Sequence, residues 1–347
     1  MSPAPRWPDL LTRLADGQDL SPSQTRWAMD EILSGNATPV QIAGFAVAMR
    51  AKGETVGELQ ALADVMTEHA TPITLADDAV DIVGSGGDRA NTVNISTMAA
   101  LVAAAAGARV VKHGNRAASS MCGTADCLEE LGVRLDVDPT RQQWVLDRTN
   151  MVFLFAPRYH QSLRHAAGPR KELGIRTPFN LLGPLTNPAR PVAQAIGVAD
   201  PVSAELMAGV LTARGSRGLV FHGGDGLDEL TTTTTSHVWL IGGGRIARTT
   251  FDPASLGLQP ATPDDLVGGP PAVNAAVVHE VLDGRTGPVR DIVLLNAAAA
   301  LAAFRGIDID QPLAPQMEAA LSDVARAVDD GAAHRTLAAL VEATQQA

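Results

Sequence analysis

Two glycine-bearing loops between residues 81 and 132 contain the side chains best suited to bind phosphate. The first loop, GSGGD at residues 84–88, follows a short β-branched run and precedes an alanine-rich helical pattern. The second, KHGNRAASS at residues 112–120, contains a lysine, an arginine, two serines and an asparagine. Each loop leads into a predicted helix, whose first N–H groups and positive dipole end favour anions. The spacing therefore predicts a polyphosphate site built from both loops.

The first loop is weak evidence when it is taken alone. GSGGD lacks the lysine-serine ending of a P-loop and the third glycine of a dinucleotide fingerprint, and a glycine-rich turn is often only structural. Its neighbour NIST, residues 94–97, opens the following helix with three residues of helix-capping type. One such residue is enough to cap a helix, so the surplus suggests a bound anion or metal.

The second loop gives the stronger signal. It follows directly on a predicted strand at Val110 and Val111, and it is expected to begin at Lys112. In an open α/β sheet, ligands bind at the carboxyl ends of the strands. A solvated loop with incidental charge is the alternative interpretation, and the matching loop one unit earlier favours the phosphate site.

Adjacent acids at Asp228 and Glu229 follow a predicted strand and a glycine turn. Two acids on a loop are usually solvated charge. Beside a bound polyphosphate, however, their oxygens suit magnesium, with Asp88 and Ser96 as further ligands. The residues alone leave both interpretations open.

Basic side chains are concentrated between residues 158 and 176. They are Arg158, His160, Arg164, His165, Arg170, Lys171 and Arg176. An arginine fork suits a planar carboxylate, which it binds through two parallel hydrogen bonds. For any single member of the set, a basic helix face is the favoured alternative.

The elements that must position these residues change in type along the chain. Residues 8–70 have apolar side chains at helical spacing and predict helices throughout. After Thr71-Pro72, short apolar strands alternate with helices. This alternation predicts a largely parallel sheet that is covered by helices on both faces.

Composition excludes several classes of function. The formal net charge of −11 argues against a nucleic-acid partner, because phosphate-backbone binding relies on clustered lysine and arginine. Two cysteines, Cys122 and Cys127, are too few for a disulfide framework and fit no zinc spacing, so reduced thiols are expected. The longest apolar run, residues 98–107, is too short to cross a membrane, and no signal-peptide pattern is evident. We expect a cytoplasmic protein without a membrane partner.

The assembled motifs resemble those of the anthranilate phosphoribosyltransferase family, in the nucleoside-phosphorylase-like class of phosphoribosyltransferases. GSGGD, NIST, KHGNRAASS, GTADCLEELGV, FAPRYH, GIRTPFNLLGPLTNP and GLDEL occur in the family's order over nearly the whole chain. The resemblance implies an α/β fold with a small helical domain, residues 1–72 with 167–190. The remainder, residues 73–166 with 191–347, would form a large domain whose mostly parallel central sheet is flanked by helices.

The resemblance also implies a reaction. The phosphoribosyl group of phosphoribosyl pyrophosphate (PRPP) would be transferred to the amine of anthranilate, with release of pyrophosphate, in tryptophan biosynthesis. Magnesium would be the cofactor, and the chain would form a homodimer through its helical domain. A pyrimidine-nucleoside phosphorylase-like enzyme or another phosphoribosyltransferase on the same fold is the alternative. A non-catalytic ligand- or nucleic-acid-binding relative is the least expected.

Site residues follow from the same resemblance. The positions that match substrate contacts are Gly84, Gly87, Asp88, Thr92, Asn94, Ile95, Ser96, Thr97, Lys112, Gly114, Asn115, Arg116, Ala117, Ala118, Ser119, Ser120, Thr124, His160 and Arg170. Those that match magnesium ligands are Ser96, Asp228 and Glu229.

Four residues would take part in catalysis. Lys112 would stabilise the departing pyrophosphate, while Asn115 and Arg170 would position the amine and His113 would orient it. No general base is assigned, because an aromatic amine is uncharged at neutral pH.

The chain departs from the family pattern at three places. Ser85 replaces a threonine and keeps its hydroxyl, and Arg89 replaces a glycine, which is expected to alter the mobility of the first loop. Gly168-Pro169 replaces small or apolar residues, which is expected to shift the start of the helix that carries Arg170.

Overall fold

The computed structural model describes residues 5–75, 78–117 and 120–347. Ala118 and Ser119, two of the predicted substrate contacts, lie outside the described residues. The chain divides into a helical unit, Met1–Pro72 with Pro157–Pro188, and an α/β unit, Ile73–Ala156 with Ala189–Ala347. The second segment of the helical unit begins at Pro157, whereas the sequence analysis placed its start at residue 167.

The helical unit begins with four helices, and residues of capping type define where three of them start. They are α1 (Trp7–Ala15), α2 (Pro22–Leu33), α3 (Pro39–Lys52) and α4 (Val56–Glu68). Ser21, Thr38 and Thr55 cap α2, α3 and α4, each in a capping box with a glutamine or glutamate three residues later.

The first half of the α/β unit alternates strands and helices as expected. Its elements are β1 (Val80–Gly84), α5 (Ile95–Ala105), β2 (Val110–Gly114), α6 (Thr124–Glu130), α7 (Gln142–Thr149) and β3 (Met151–Phe155). The prediction that the second loop begins at Lys112 is wrong, because β2 continues to Gly114. Pairing with β3 extends the strand, and Lys112 and His113 are buried in it.

The basic segment is mostly helical. It contains α8 (Ala156–Tyr159) and α9 (Arg164–Leu173). Pro169 lies inside α9, so Gly168-Pro169 does not mark the start of this helix. Gly174 ends α9 in the left-handed conformation, with φ of 61°.

The second half of the α/β unit completes the sheet and its helical layers. Its elements are β4 (Ala193–Gly197), α10 (Pro201–Ala213), β5 (Arg217–Gly223), β6 (Ser236–Gly242), β7 (Arg245–Phe251), α11 (Pro271–Leu282), α12 (Pro288–Arg305), α13 (Leu313–Asp329) and α14 (Ala332–Gln346). Short 3-10 helices occur at Pro139–Arg141, Gln161–Leu163, Pro178–Leu181, Gly183–Leu185, Pro253–Leu256 and Pro263–Leu266. Among the described helices, none has both the length and the apolar character that a membrane span requires.

Within the described residues the strands form one seven-stranded sheet in the order β3-β2-β1-β4-β5-β6-β7. The first five strands are parallel, while β6 and β7 are antiparallel to their neighbours. Buried alanines on α5 and α12 let these two helices pack closely together beside the sheet. The predicted fold class, a helical domain with a mostly parallel α/β domain, is confirmed.

Candidate functional site

The order of the strands places a crevice at one edge of the sheet. Chain order reverses between β1 and β4, and ligands of open α/β sheets bind outside the carboxyl ends of the strands at such a switch point. The first glycine loop follows β1, the second follows β2, and the acidic pair follows β5. Segments that are far apart in the sequence therefore meet at this edge.

The acidic residues form a buried cluster there. Asp228 and Glu229 are each only 8% exposed. The Gly86 N–H donates to Asp228 Oδ2 at 2.6 Å, and Asp88 shares a hydrogen bond with the Asp228 side chain. The Glu229 carboxylate accepts from the Ser96 N–H. We call Asp88, Ser96, Asp228 and Glu229 the carboxylate cluster.

Negative charge in the carboxylate cluster is poorly compensated. Burial and the neighbouring Asp88 raise the pKa of Asp228 to about 7. Burial and the charge of Asp228 raise the pKa of Glu229 well above its usual value. Carboxyl groups that resist ionisation in this way are typical of sites where a bound cation completes the charge balance.

Lys112 lies beside the carboxylate cluster and is 1% exposed. Its Nζ donates to the Ile82 carbonyl and to Ser96 Oγ, the latter at 3.2 Å. Burial lowers the pKa of Lys112, against the charges of Asp81 and Glu229 and, more weakly, Asp228. The ammonium group is thus held close to the acids by backbone and hydroxyl oxygens.

Glycines allow the acidic loop to approach the strands. A side chain at Gly84 would collide with the Asp228 carboxylate, and one at Gly197 would collide with the Asp228 backbone carbonyl. These two residues end the adjacent strands β1 and β4. Sequence analysis missed Gly197, although a glycine at the end of a buried strand is a recognised sign of close backbone approach.

Asn296 is a second residue that sequence analysis missed. It is fully buried in α12, and its Oδ1 accepts from the Leu230 N–H at 3.0 Å. Its Nδ2 donates to the Leu230 carbonyl at 2.8 Å and to the Ile292 carbonyl at 2.9 Å. Asn296 therefore fixes the backbone directly after the acidic pair. A lone amide in an otherwise apolar helical face was the available signal.

The start of α5 has unusual hydrogen bonding. Asn94 precedes the helix but does not cap it; its Nδ2 donates to the Cys122 carbonyl at 3.2 Å, and its Oδ1 accepts from Asn274 at 2.7 Å. The buried Thr97 hydroxyl has no hydrogen-bond partner among the described residues. Ile95, which begins α5, is buried. The first turn of α5 therefore has a buried hydroxyl, that of Thr97, to which no described protein group forms a hydrogen bond.

The first glycine loop contains backbone in the left-handed region. Gly87 has φ of 86°, and Arg89 and Asn91 have φ of 62° and 50°. Thr92 then pairs with Val267 in an isolated β-bridge. A glycine at position 89 would adopt this conformation without strain, whereas Arg89 carries the steric cost of its Cβ.

In the second loop Arg116 is already paired. Its guanidinium bonds to Asp126 at 2.9 Å and to Glu129 at 2.8 Å, both on α6. Asp126 also accepts from the Ala117 N–H at 2.9 Å. Asn115 Oδ1 accepts from the Arg116 N–H at 2.8 Å. These bonds attach the loop to α6.

The remaining predicted residues of this loop lie along its course. Gly114 ends β2, Ser120 Oγ donates to the Cys122 carbonyl at 3.4 Å, and Thr124 begins α6. The His113 N–H donates to Asp81 at 3.2 Å, and the His113 side chain is buried in β2.

The helical unit contains the other two predicted residues. Arg170 on α9 lies over the Phe179 ring at 5.5 Å, burial lowers its pKa, and no described carboxylate forms an ion pair with it. His160 is buried, with Nε2 2.9 Å from the Thr186 carbonyl, and burial also lowers its pKa.

The oxygen ligands of the carboxylate cluster fit magnesium. Magnesium is typically held by one or two carboxylates together with water and substrate phosphates. Asp228 and Glu229 supply two buried carboxylates with raised pKa values, and Ser96 supplies a hydroxyl. No group of three or more histidine, cysteine or acidic ligands is arranged around a metal position in the described residues.

Family models match both parts of the chain. Residues 8–70 match the helical bundle domain of a glycosyl transferase family, and residues 76–334 match the a/b domain of that family.

Individual relatives match the chain over nearly its full length. It is 57% identical to the anthranilate phosphoribosyltransferase of Thermobifida fusca, over 98% of this chain and 97% of that protein. It is 53% identical to the enzyme of that name from Mycolicibacterium gilvum, over 99% and 95%.

Solved structures agree with the sequence matches. Anthranilate phosphoribosyltransferase from Thermus thermophilus superposes with a TM-score of 0.90 at 38% identity, covering 97% of this chain and 99% of that one. The Saccharomyces cerevisiae enzyme in complex with PRPP and Mg superposes with a TM-score of 0.88 at 25% identity, covering 98% of each chain. The chain therefore belongs to the anthranilate phosphoribosyltransferase family.

Proposed function

We propose that the protein transfers the phosphoribosyl group of PRPP to the amine of anthranilate and releases pyrophosphate. The observation that carries this proposal is the carboxylate cluster beside Lys112 at the switch point of the sheet. Relatives that share more than half of their residues with this chain bear the name of that activity. Together they make it a glycosyltransferase of tryptophan biosynthesis.

The α/β unit binds the donor in this proposal. Asp228, Glu229 and Ser96 hold magnesium, which neutralises negative charge on the pyrophosphate oxygens when it is bound. Lys112 stabilises the charge that develops on the leaving pyrophosphate, because its ammonium group is fixed by hydrogen bonds before the reaction begins. Gly84 and Gly87 let the backbone approach the same donor closely. Thr97 offers it a hydroxyl.

Arg170 binds the anthranilate carboxylate. Its partly buried guanidinium has no described carboxylate partner, so it is available for a planar anion. Asn115 and His113 orient the reacting groups, and no protein base is required because the amine lone pair is free at neutral pH. His160 bonds to a backbone carbonyl and supports the segment after α8.

A phosphorylase of pyrimidine nucleosides is the competing activity on this type of fold. The unpaired Arg170 favours the anthranilate reaction, because a pyrimidine base has no carboxylate for it to bind. The carboxylate cluster favours a donor that carries pyrophosphate and magnesium over inorganic phosphate.

Anthranilate fluorescence tests the proposal directly. Anthranilate should disappear only when enzyme, PRPP and magnesium are all present, and chelation of magnesium should stop the reaction. Phosphorolysis of uridine or thymidine without anthranilate consumption would contradict it. Binding of PRPP without turnover would support a non-catalytic relative instead.

Assembly and location remain proposals. We infer a homodimer formed through the helical unit, supported by the exposure of Val40 (80%) and Val47 (39%) on α3. Their spacing places both on one face of the helix. Light scattering during gel filtration tests this, and a monomeric mass at micromolar concentration would contradict it. The cytoplasmic location stays a prediction.

A further inference from the structure

Two buried cysteines lie next to each other at the second glycine loop, and the transfer reaction makes no use of them. Cys122 is 6% exposed and Cys127 is fully buried, and neither is in a disulfide. Gly123 is the N-cap residue of α6, so Cys122 and Cys127 occupy the positions on either side of the first turn that pack together in a hydrophobic staple. The local geometry therefore brings the two side chains together.

Contacts of the thiols agree with this geometry. The thiols of Cys122 and Cys127 lie close enough to shift each other's pKa, Asn274 lies beside the Cys122 sulfur, and Cys122 Sγ donates to the Gly123 carbonyl at 3.6 Å. The contact with Cys127 lowers the pKa of Cys122, although burial and Asp126 oppose the effect. The same contact, with burial, raises the pKa of Cys127. Cys122 is also the more exposed of the two thiols, so it is the one that an oxidant from solvent reaches first.

The base of the loop is tightly constrained. Asp126 Oδ2 accepts from the N–H groups of Ala117 and Gly123, both at 2.9 Å. A side chain at Gly123 would collide with the Ala117 backbone. Asp126 therefore holds Ala117 and Gly123, the neighbour of Cys122, against the start of α6.

We propose that Cys122 and Cys127 are a reversible disulfide site whose oxidant is a hydroperoxide. The Cys122 thiolate attacks the peroxide, an S–O bond forms, the O–O bond breaks, and the leaving oxygen takes a proton. The Cys127 thiol then loses its proton and attacks the sulfenic sulfur, so that an S–S bond forms and the S–O bond breaks with release of water. The two thiols lose two electrons, and the peroxide gains them.

Disulfide formation changes the donor side of the site. The S–S bond is about 2.05 Å long, shorter than any contact between thiols, so Cys122 must move toward α6, where Cys127 is held. The Cys122 carbonyl accepts from Asn94 at 3.2 Å and from Ser120 at 3.4 Å, and this movement strains both bonds. Asn94 and Ser120 are among the positions that match the family's substrate contacts, so this consequence, unlike the disulfide itself, rests on the proposed function.

Mass spectrometry and kinetics on the full chain test the inference. Reduced protein is treated with graded hydrogen peroxide, free thiols are alkylated, and peptides are analysed. We expect loss of two hydrogens in the peptide that spans both cysteines, with neither alkylated, and reversal by dithiothreitol. The oxidised protein should have a PRPP KM raised by about tenfold, on the scale typical of supporting contacts around a site, with the anthranilate KM unchanged.

Single variants serve as matched controls. Cys127→Ala should have normal activity when reduced and should form no internal disulfide, while its Cys122 proceeds to sulfinic acid. Cys122→Ala should keep Cys127 reduced, which provides a second variant if the first folds poorly. Sulfinic acid at Cys122 of the wild-type chain without the disulfide would overturn the inference. A disulfide that forms and leaves the PRPP KM unchanged would overturn its link to the donor site.

Discussion

The helical unit and the α/β unit each bury a lysine near carboxylates, and the two lysines differ in how completely they are paired. Lys52 Nζ in the helical unit lies 2.8 Å from Asp19 and 2.8 Å from Glu58. Burial lowers the pKa of Lys52, but its bonds to these acids outweigh that effect and raise it. Lys112 in the α/β unit bonds to uncharged oxygens, no described carboxylate lies within ion-pair distance, and its pKa is lowered by burial.

The carboxylates differ in the same way. Glu58 accepts hydrogen bonds from the Leu20 N–H at 2.8 Å and the Thr55 N–H at 2.9 Å, in addition to Lys52. Asp228 and Glu229, in contrast, have raised pKa values because burial and mutual charge are not offset. A buried ion pair whose partners are all satisfied holds helices together, whereas an incompletely paired group of charges is prepared for a ligand.

Replacement of the two lysines should separate these roles most clearly. Lys112→Met should lower kcat/KM by about 10³-fold, because the leaving pyrophosphate loses a fixed positive charge. Its melting temperature should change little, since the lost ammonium group pairs with no described carboxylate. Steady-state kinetics and thermal unfolding measure the two effects.

Lys52→Met is the matched control. It should leave the kinetic constants near those of the wild type and lower the free energy of unfolding by about 3 kcal/mol, because Glu58 is left buried without its cation. A larger loss of activity in Lys52→Met than in Lys112→Met would reverse the comparison.

Asp228→Asn should exchange activity for stability. We expect a loss of about 10²-fold in activity from the missing metal ligand. The pKa of Asp228 is about 7 in the folded protein and about 3.9 when unfolded, so stability from its protonated form is lost as pH rises through 7. The amide cannot ionise, so without metal the variant should be more stable than the wild type at pH 8, by about 4 kcal/mol because the two pKa values differ by about three units, and similar at pH 4. Urea unfolding in chelator checks this, and equal pH dependence of the two proteins would contradict it.

Arg170→Ala should act on one substrate only. The anthranilate KM should rise by about 30-fold, as expected for a lost charged hydrogen bond, with little change in the PRPP KM. Arg164→Ala, on the same helix, is the control and should alter neither. Equal increases for both substrates in Arg170→Ala would show that Arg170 does not bind the carboxylate.

Asn296→Ala should have the smallest effect, because Asn296 acts through the backbone that follows the acidic pair. The magnesium concentration for half-maximal velocity should rise by about tenfold, while the anthranilate KM stays constant. Magnesium titration at saturating substrates measures the change. A fall in kcat with normal magnesium dependence would indicate a general structural defect instead.

Local motifs account for the parts of the site that sequence predicted. The glycine loops and the acidic pair are contiguous, and their position after strands follows from the alternation of elements. The burial of Lys112 could not be predicted, because its strand extends only where β2 pairs with β3, opposite Phe153. The contact of Asn296 with Leu230 spans 66 residues, and no local pattern specifies it.

The ion pairs of Arg116 in the second glycine loop could not be predicted from the sequence either. Arg116, which stays a predicted substrate contact, bonds to Asp126 and Glu129 on α6, and no local pattern in the sequence specifies these two ion pairs. The helical bundle was easier to predict, because capping residues such as Thr38 and Thr55 mark its helices locally.

Proton release on donor binding tests most directly whether the carboxylate cluster is an incompletely paired group of charges that a bound cation completes. PRPP with magnesium is titrated into the protein at pH 7 in two buffers of different ionisation enthalpy, for the wild type and for Asp228→Asn. We predict that the wild type releases about half a proton more than the variant, because Asp228, with a pKa of about 7, is half protonated at pH 7 and magnesium binding ionises it. Equal proton release by the two proteins, with tight binding by both, would contradict this role for the cluster.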